Sequence, residues 1–208
     1  MTEYREYERT GWRRVTPGAV LALLAMAVLV AVSLQLLIAP PAVDNKKEAL
    51  SFSQAGDGEE QIAGLVRIGV ASAEATTSLT GKTGTVYGPE RLLDGDLSTC
   101  WQEGEDGPGY GAEITLSLDG EQEIRYIRIR PGSCRSERAF YENNRPATMT
   151  LRIGELEQTL DFEDADQWVM FENSEPVTAD AVTLVLDSVY EGSRWDDTCI
   201  TEVELYGE

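Results

Sequence analysis

From Val66 to the C-terminus the chain has no long apolar stretch of helical period, only short alternating segments broken by turn residues, and this restricts it to an all-β fold. AEITLSL (Ala112 to Leu118) puts Ile114, Leu116 and Leu118 on one face of a strand, and TMTLRI (Thr148 to Ile153) does the same with Met149, Leu151 and Ile153. EIRYIRIR (Glu123 to Arg130), QTLDF (Gln158 to Phe162), WVMF (Trp168 to Phe171), AVTLVLDSVY (Ala181 to Tyr190) and TEVELYG (Thr201 to Gly207) continue the series, separated by turn signals such as SLDGEQ, RPGS and DFEDADQ. Helix is confined to single turns such as GPERLL (Gly88 to Leu93). About seven or eight strands predict one antiparallel β-sandwich over residues 66–208.

Ahead of it, Ala19 to Ala39 carries no charge and only Ser33 and Gln35 as polar interruptions, long enough for a helix across a hydrocarbon core of roughly 30 Å. Pro17 and Gly18 precede this run and Pro40 and Pro41 follow it. A cleaved signal peptide is the competing reading, but its apolar region is shorter, about 7 to 15 residues. The sequence therefore predicts a cytoplasmic tail (1–16), a transmembrane signal-anchor (17–40), an extracytoplasmic linker (41–65) and the β domain (66–208). Arg5, Arg9, Arg13 and Arg14 before the span, against Lys46 and Lys47 just after it, keep the N-terminus in the cytoplasm and the domain outside.

Charge and composition remove several function classes. The chain has 17 Lys+Arg against 37 Asp+Glu; 7 and 8 of these lie in residues 1–68, leaving 10 basic and 29 acidic residues beyond. Phosphate backbones repel such a domain, so nucleic acid is not an expected partner. With no histidine, the Ser-His-Asp and Cys-His nucleophiles and every His-containing zinc site are excluded. Cys100, Cys134 and Cys199 allow one disulfide in any of three pairings, or three reduced thiols.

Three loops hold the candidate chemistry. In LLDGDLST (Leu92 to Thr99) the Asp-Gly-Asp turn can aim hard oxygen ligands at one centre, as calcium requires, although Asp-Gly is also a common plain turn. CRSERAFYENNRPA (Cys134 to Ala147) and SVYEGSRWDDTC (Ser188 to Cys199) combine flat rings with hydrogen-bonding side chains, the mixture a sugar needs for stacking and for its hydroxyls. The candidate ligand-binding residues are Tyr141, Asn143, Asn144, Arg145, Tyr190, Trp195, Asp196 and Asp197. The structural alternative pairs Arg145 with Asp196 or Asp197 and uses the rings to cap the core.

Taken together, RLLDGDLSTCWQEGEDGPGYGAEITLSL, IRPGSCRSERAFYENNRPATMTLRI and LVLDSVYEGSRWDDTCITEVELYGE resemble the discoidin-like, galactose-binding-like modules of the factor V/VIII type C family. More narrowly they are similar to the translocation, or glycan-binding, domain at the front of streptococcal NAD glycohydrolase, over roughly residues 71–208. The resemblance implies a jelly-roll sandwich, a binding rather than catalytic role, and a structural calcium (Ca2+) held by Asp94, Asp96, Thr99 and Glu202. Trp101 is expected in the core. The glycohydrolase catalytic domain is not expected here, since the chain ends within a residue or two of the last strand.

The leading expectation is thus a membrane-anchored carbohydrate-binding module displayed on a bacterial cell surface, with a glycan or another envelope component as partner. The alternative is a protein-interaction module of the envelope that ignores sugar. A glycosidase would need two carboxylates about 5 to 10 Å apart around a cleft.

Overall fold

The computed structural model describes residues 49–208, together with Pro17, Gly18 and Met26. The predicted tail, nearly all of the predicted membrane span and the start of the predicted linker lie outside the described residues; among the described ones no helix is long and apolar enough to cross a membrane.

Nine strands form one connected antiparallel sheet: β1 (Phe52–Gln54), β2 (Val66–Arg67), β3 (Val70–Ala75), β4 (Trp101–Gln102), β5 (Glu113–Pro131), β6 (Arg145–Ile153), β7 (Leu156–Asp161), β8 (Val169–Tyr190) and β9 (Cys199–Gly207). Two of these, β5 and β8, are long enough to serve both layers of a sandwich. The first part of β5 lies between β3 and the second part of β8, which continues to β6 and β7. Its second part lies between β9 and the first part of β8, which carries β1 on its other edge.

Alternation fills the space between the layers. Ile114 faces Leu184, Leu116 faces Val182, and Leu151 joins them from β6. In the other layer Ile127 and Ile129 face Leu205 and Val203, with Phe171 alongside. All of these belong to one buried apolar cluster. Trp101 is fully buried in it and donates its indole N–H to the Thr77 carbonyl at 3.1 Å, so the expected core placement holds.

The sequence breaks each long strand in two; the structure does not. Asp119 and Gly120 look like a reversal, but Gly120, at φ +83°, takes up a shift of register within β5, and the strand runs on. Helix is also more than single turns, because α1 (Glu137–Glu142) forms inside the loop before β6, its N-terminus capped by Ser136, whose hydroxyl accepts the Ala139 N–H at 3.1 Å.

The described part of the predicted linker is not a free tether. Phe52 is buried, and β1 pairs with β8 on one edge. Along its other edge the Gln158 carboxamide acts as a substitute strand, accepting the Phe52 N–H at 2.7 Å and donating to its carbonyl at 2.6 Å. Further on, buried Arg128 donates to the Asp57 carbonyl at 2.7 Å and pairs with Glu59 and Glu204. The polarity that reads as a linker is spent on these partners.

Candidate functional site

A cleft of about 280 Å3 opens where three segments meet: the approach to β4, the α1 segment, and the loop from β8 to β9. It is at the small end of ligand sites. One wall begins with Tyr87 and Arg91, the latter on a 3-10 turn (Pro89–Leu92) that places its guanidinium over the Tyr87 ring, 4.7 Å from the centroid. Ser98, Thr99, Cys100 and Gln102 also line it, Arg135 and Glu142 come from the α1 segment, and Trp195 and Asp197 from the loop between β8 and β9. Trp195 is 47% exposed and carries the Arg194 guanidinium over its ring, 4.7 Å from the centroid.

The Trp195 loop is held by the helix it covers. The N–H groups of Ser193 and Trp195 donate to the Tyr141 and Glu142 carbonyls at 3.0 and 2.9 Å, satisfying the end of α1. Asn144 fixes the same loop with both its backbone and its carboxamide, accepting the Gly192 N–H at 2.6 Å and donating to the Asp196 carbonyl. Gly192 is required there, since a Cβ would lie 2.5 Å from the Asn143 backbone.

The predicted ligand face therefore divides. Trp195 and Asp197 line the cleft, as does Asn143, although Asn143 is mostly buried and donates to the Ala139 carbonyl at 2.7 Å. Tyr141, Asn144, Arg145, Tyr190 and Asp196 do not line it. Asn144 and Arg145 are buried and spend their polar atoms on the fold. Arg145 is bidentate to Asp164, at 2.6 Å for both contacts, and lies between the Phe140, Tyr141 and Tyr190 rings. The expected structural tie of Arg145 exists, but to Asp164 rather than to Asp196 or Asp197. Tyr87, Arg91, Arg135 and Gln102 are not among the predicted ligand residues: Arg91, Gln102 and Arg135 sit inside the quoted motifs, but only the fold brings the four to one place.

Electrostatics set the cleft apart. Burial raises the Asp197 carboxyl, with the Asp196 charge adding to the effect. All three cysteines are free. The Cys100 thiol is lowered to about 7 by its hydrogen bond with Cys199, with Ser133 and the Arg91 and Arg135 charges helping against burial. Burial drives its neighbour Cys199 upward. Next along the chain from Gln102, Glu103 is fully buried with its Oε1 unpartnered, and burial raises its carboxyl too.

The Asp94–Thr99 loop folds on itself and onto the last strand. Asp94 accepts the Asp96 N–H at 2.8 Å and the Thr99 hydroxyl at 2.7 Å, while Asp96 accepts the N–H and hydroxyl of Ser98 at 2.9 and 2.6 Å. The Gly95 N–H then donates to Glu202 Oε2 at 3.1 Å, and Arg67 approaches Oε1 at 3.3 Å. Glu202 is buried, and burial lifts its carboxyl to about 7, with the Asp94 charge contributing. Among the described residues no cluster of three or more carboxylates or thiols gathers around one point. The Asp94, Asp96 and Thr99 side chains and the Glu202 carboxylate are hard oxygen donors of the kind calcium takes, with the Arg67 guanidinium already paired to Glu202 at 3.3 Å.

Comparison with known proteins bears on the fold and the family. Among similar solved structures are the paired family 32 carbohydrate-binding modules of ZmpB from Clostridium perfringens in complex with GalNAc, at TM-score 0.55 and 12% identity over 77% of this chain and 40% of that one. The family 32 module of NanJ from Clostridium perfringens in complex with galactose matches at 0.52 and 14%, covering 68% of this chain and all (100%) of that one. That of AlyQ in complex with 4,5-unsaturated mannuronic acid matches at 0.51 and 15%, covering 69% and 99%. This chain thus spans less than half of the ZmpB fragment but the whole of a single module. No curated protein matches the sequence. Residues 66–206 match the model of a family that is a binding and translocation domain rather than a catalytic one, and the chain belongs to that family, the NAD glycohydrolase translocation F5/8 type C domain.

Proposed function

We propose that the protein is a carbohydrate-binding module that holds a saccharide in the cleft between Tyr87 and Trp195. The observation that carries this reading is the cleft itself: a half-exposed indole in one cleft with the Gln102 Oε1 and the Asp197 carboxylate, the pairing of apolar ring and planar polar partners that sugars require. Modules of the same fold are solved with galactose, GalNAc and an unsaturated mannuronic acid, which supports the class of ligand. The module is carried by its own N-terminal span and faces outward at a bacterial cell surface. Calcium, held by Asp94, Asp96, Thr99 and Glu202, adds to the charge that Arg67 brings to Glu202 and keeps the 94–99 loop seated on β9.

A glycan-array screen of the full-length chain in nonionic detergent and calcium, with a Trp195→Ala variant alongside, tests the reading. A related set of sugars bound by the native chain and lost in the variant is the expected result. A folded protein that binds no sugar but captures an envelope protein through Trp195 would replace it with the interaction-module reading.

A further inference from the structure

We infer that the saccharide taken by this cleft is acidic, its carboxylate or sulfate lying between the guanidinium groups of Arg91 and Arg135. This rests on the carbohydrate-binding reading and narrows it.

The two arginines are set apart by what they lack. Every other arginine among the described residues is ion-paired with a carboxylate. Neither Arg91 nor Arg135 donates a side-chain hydrogen bond or makes an ion pair to any described residue, and both line the same cleft. Partners are not scarce, since the chain carries 37 acidic residues against 17 basic ones. In so acidic a molecule, two guanidinium groups without carboxylates mark a place kept for an external anion.

Their surroundings agree. The ring of Tyr87 positions Arg91 by its face, which leaves the N–H groups of the guanidinium free to donate. Both side chains share the wall of this one cleft with Cys100. Of the carboxylates along the cleft, Glu142 is already neutralised by Arg138 at 2.8 Å and Arg194 at 3.5 Å. Asp197 remains in the same cleft as an acceptor for sugar hydroxyls. Guanidinium groups bind carboxylate and sulfate in planar, paired hydrogen bonds, and a ring carrying such a group can stack on Trp195 at the same time.

The test compares one sugar with and without its charge. The full-length chain in nonionic detergent is titrated with a uronic-acid trisaccharide, its methyl ester, a 6-sulfated galactoside and the unsulfated galactoside. The expected result is affinity at least about tenfold higher for a charged member than for its neutral partner, weakening as ionic strength rises. The uronate and sulfate arms tell which anion is preferred. Arg91→Gln and Arg135→Gln should each lower affinity for the charged sugar by roughly threefold to tenfold without changing that for the neutral one. Arg152→Gln, on β6 and paired with Glu113 and Glu157, is the charge control and should change neither. Equal binding of charged and neutral partners overturns this inference and leaves the carbohydrate reading intact. Binding of no saccharide at all overturns both.

Discussion

The corner around Arg145 and the cleft around Arg91 and Arg135 lie on either side of α1 and use the same side chain in opposite ways. Arg145 is buried, bidentate to Asp164 and enclosed by three rings, so nothing remains for a ligand. Arg91 and Arg135 have space and no carboxylate. An arginine among aromatic rings thus says little about function until its hydrogen bonds are traced.

The largest test of this contrast is Arg145→Ala, which strips the partner from Asp164 and opens a space between the rings. It should cost about 2–4 kcal/mol in chemical denaturation, whereas Arg91→Gln should stay within about 0.5 kcal/mol. Similar losses at both sites would erase the distinction.

Calcium sharpens the comparison, because the 94–99 loop reaches the cleft but not the Arg145 corner. At a hundred times its dissociation constant the ion should add about 2.7 kcal/mol of stability. The gain should vanish in Asp94→Asn, and hydrogen exchange should report it in residues 94–102 and not at Arg145. An equal gain in the variant would mean that calcium acts through general screening.

Glu103, buried and next to Gln102 in the chain, offers a smaller test. Its folded carboxyl is raised, so between the unfolded value of about 4.5 and the folded value the native state binds more protons than the unfolded one, and stability falls as pH rises. The slope should approach but not exceed about 1.4 kcal/mol per pH unit. Glu103→Gln should flatten the curve above pH 5. An unchanged slope would mean that the carboxyl stays ionised and finds a partner in solution.

The smallest effect is kinetic. Cys100 lines the cleft with its thiol at about 7, so a small alkylating agent should modify it ahead of Cys134 and Cys199, and bound saccharide should slow the reaction. Mass spectrometry of the three peptides decides the order. Alkylation unaffected by a saccharide at saturating concentration would place the ligand elsewhere.

Strands and core positions were legible because period two, read from Ile114 or Met149, depends only on neighbours along the chain. The contact between the Asp-Gly-Asp loop and Glu202 was legible as well, through the motif resemblance. Continuity of β5 and β8 was not, since an Asp-Gly pair can bend a strand as readily as reverse it. Nor was the state of Arg145: its partner Asp164 lies in a turn whose place is set by β6 and β7 together. Arg91 and Arg135 could not be singled out, because being unpaired is a property of the fold and leaves no mark in the sequence.

The attachment of β1 has a mechanical consequence. Its grip is short: a three-residue ladder extended by the backbone bonds of Ala55 and Gly56 with Met170, side-chain contacts from Gln158, Asn173 and Gln54, buried Phe52, and the Arg128 contacts at Asp57 and Glu59. Tension applied from the N-terminal side meets this strip before it loads β5 or β8. Peeling residues 50–65 away would release about 50 Å of chain, so the domain carries a folded reserve of reach. In a force-extension trace this is expected as a first small step ahead of the main rupture, and a single rupture without it would show that strip and sandwich yield as one.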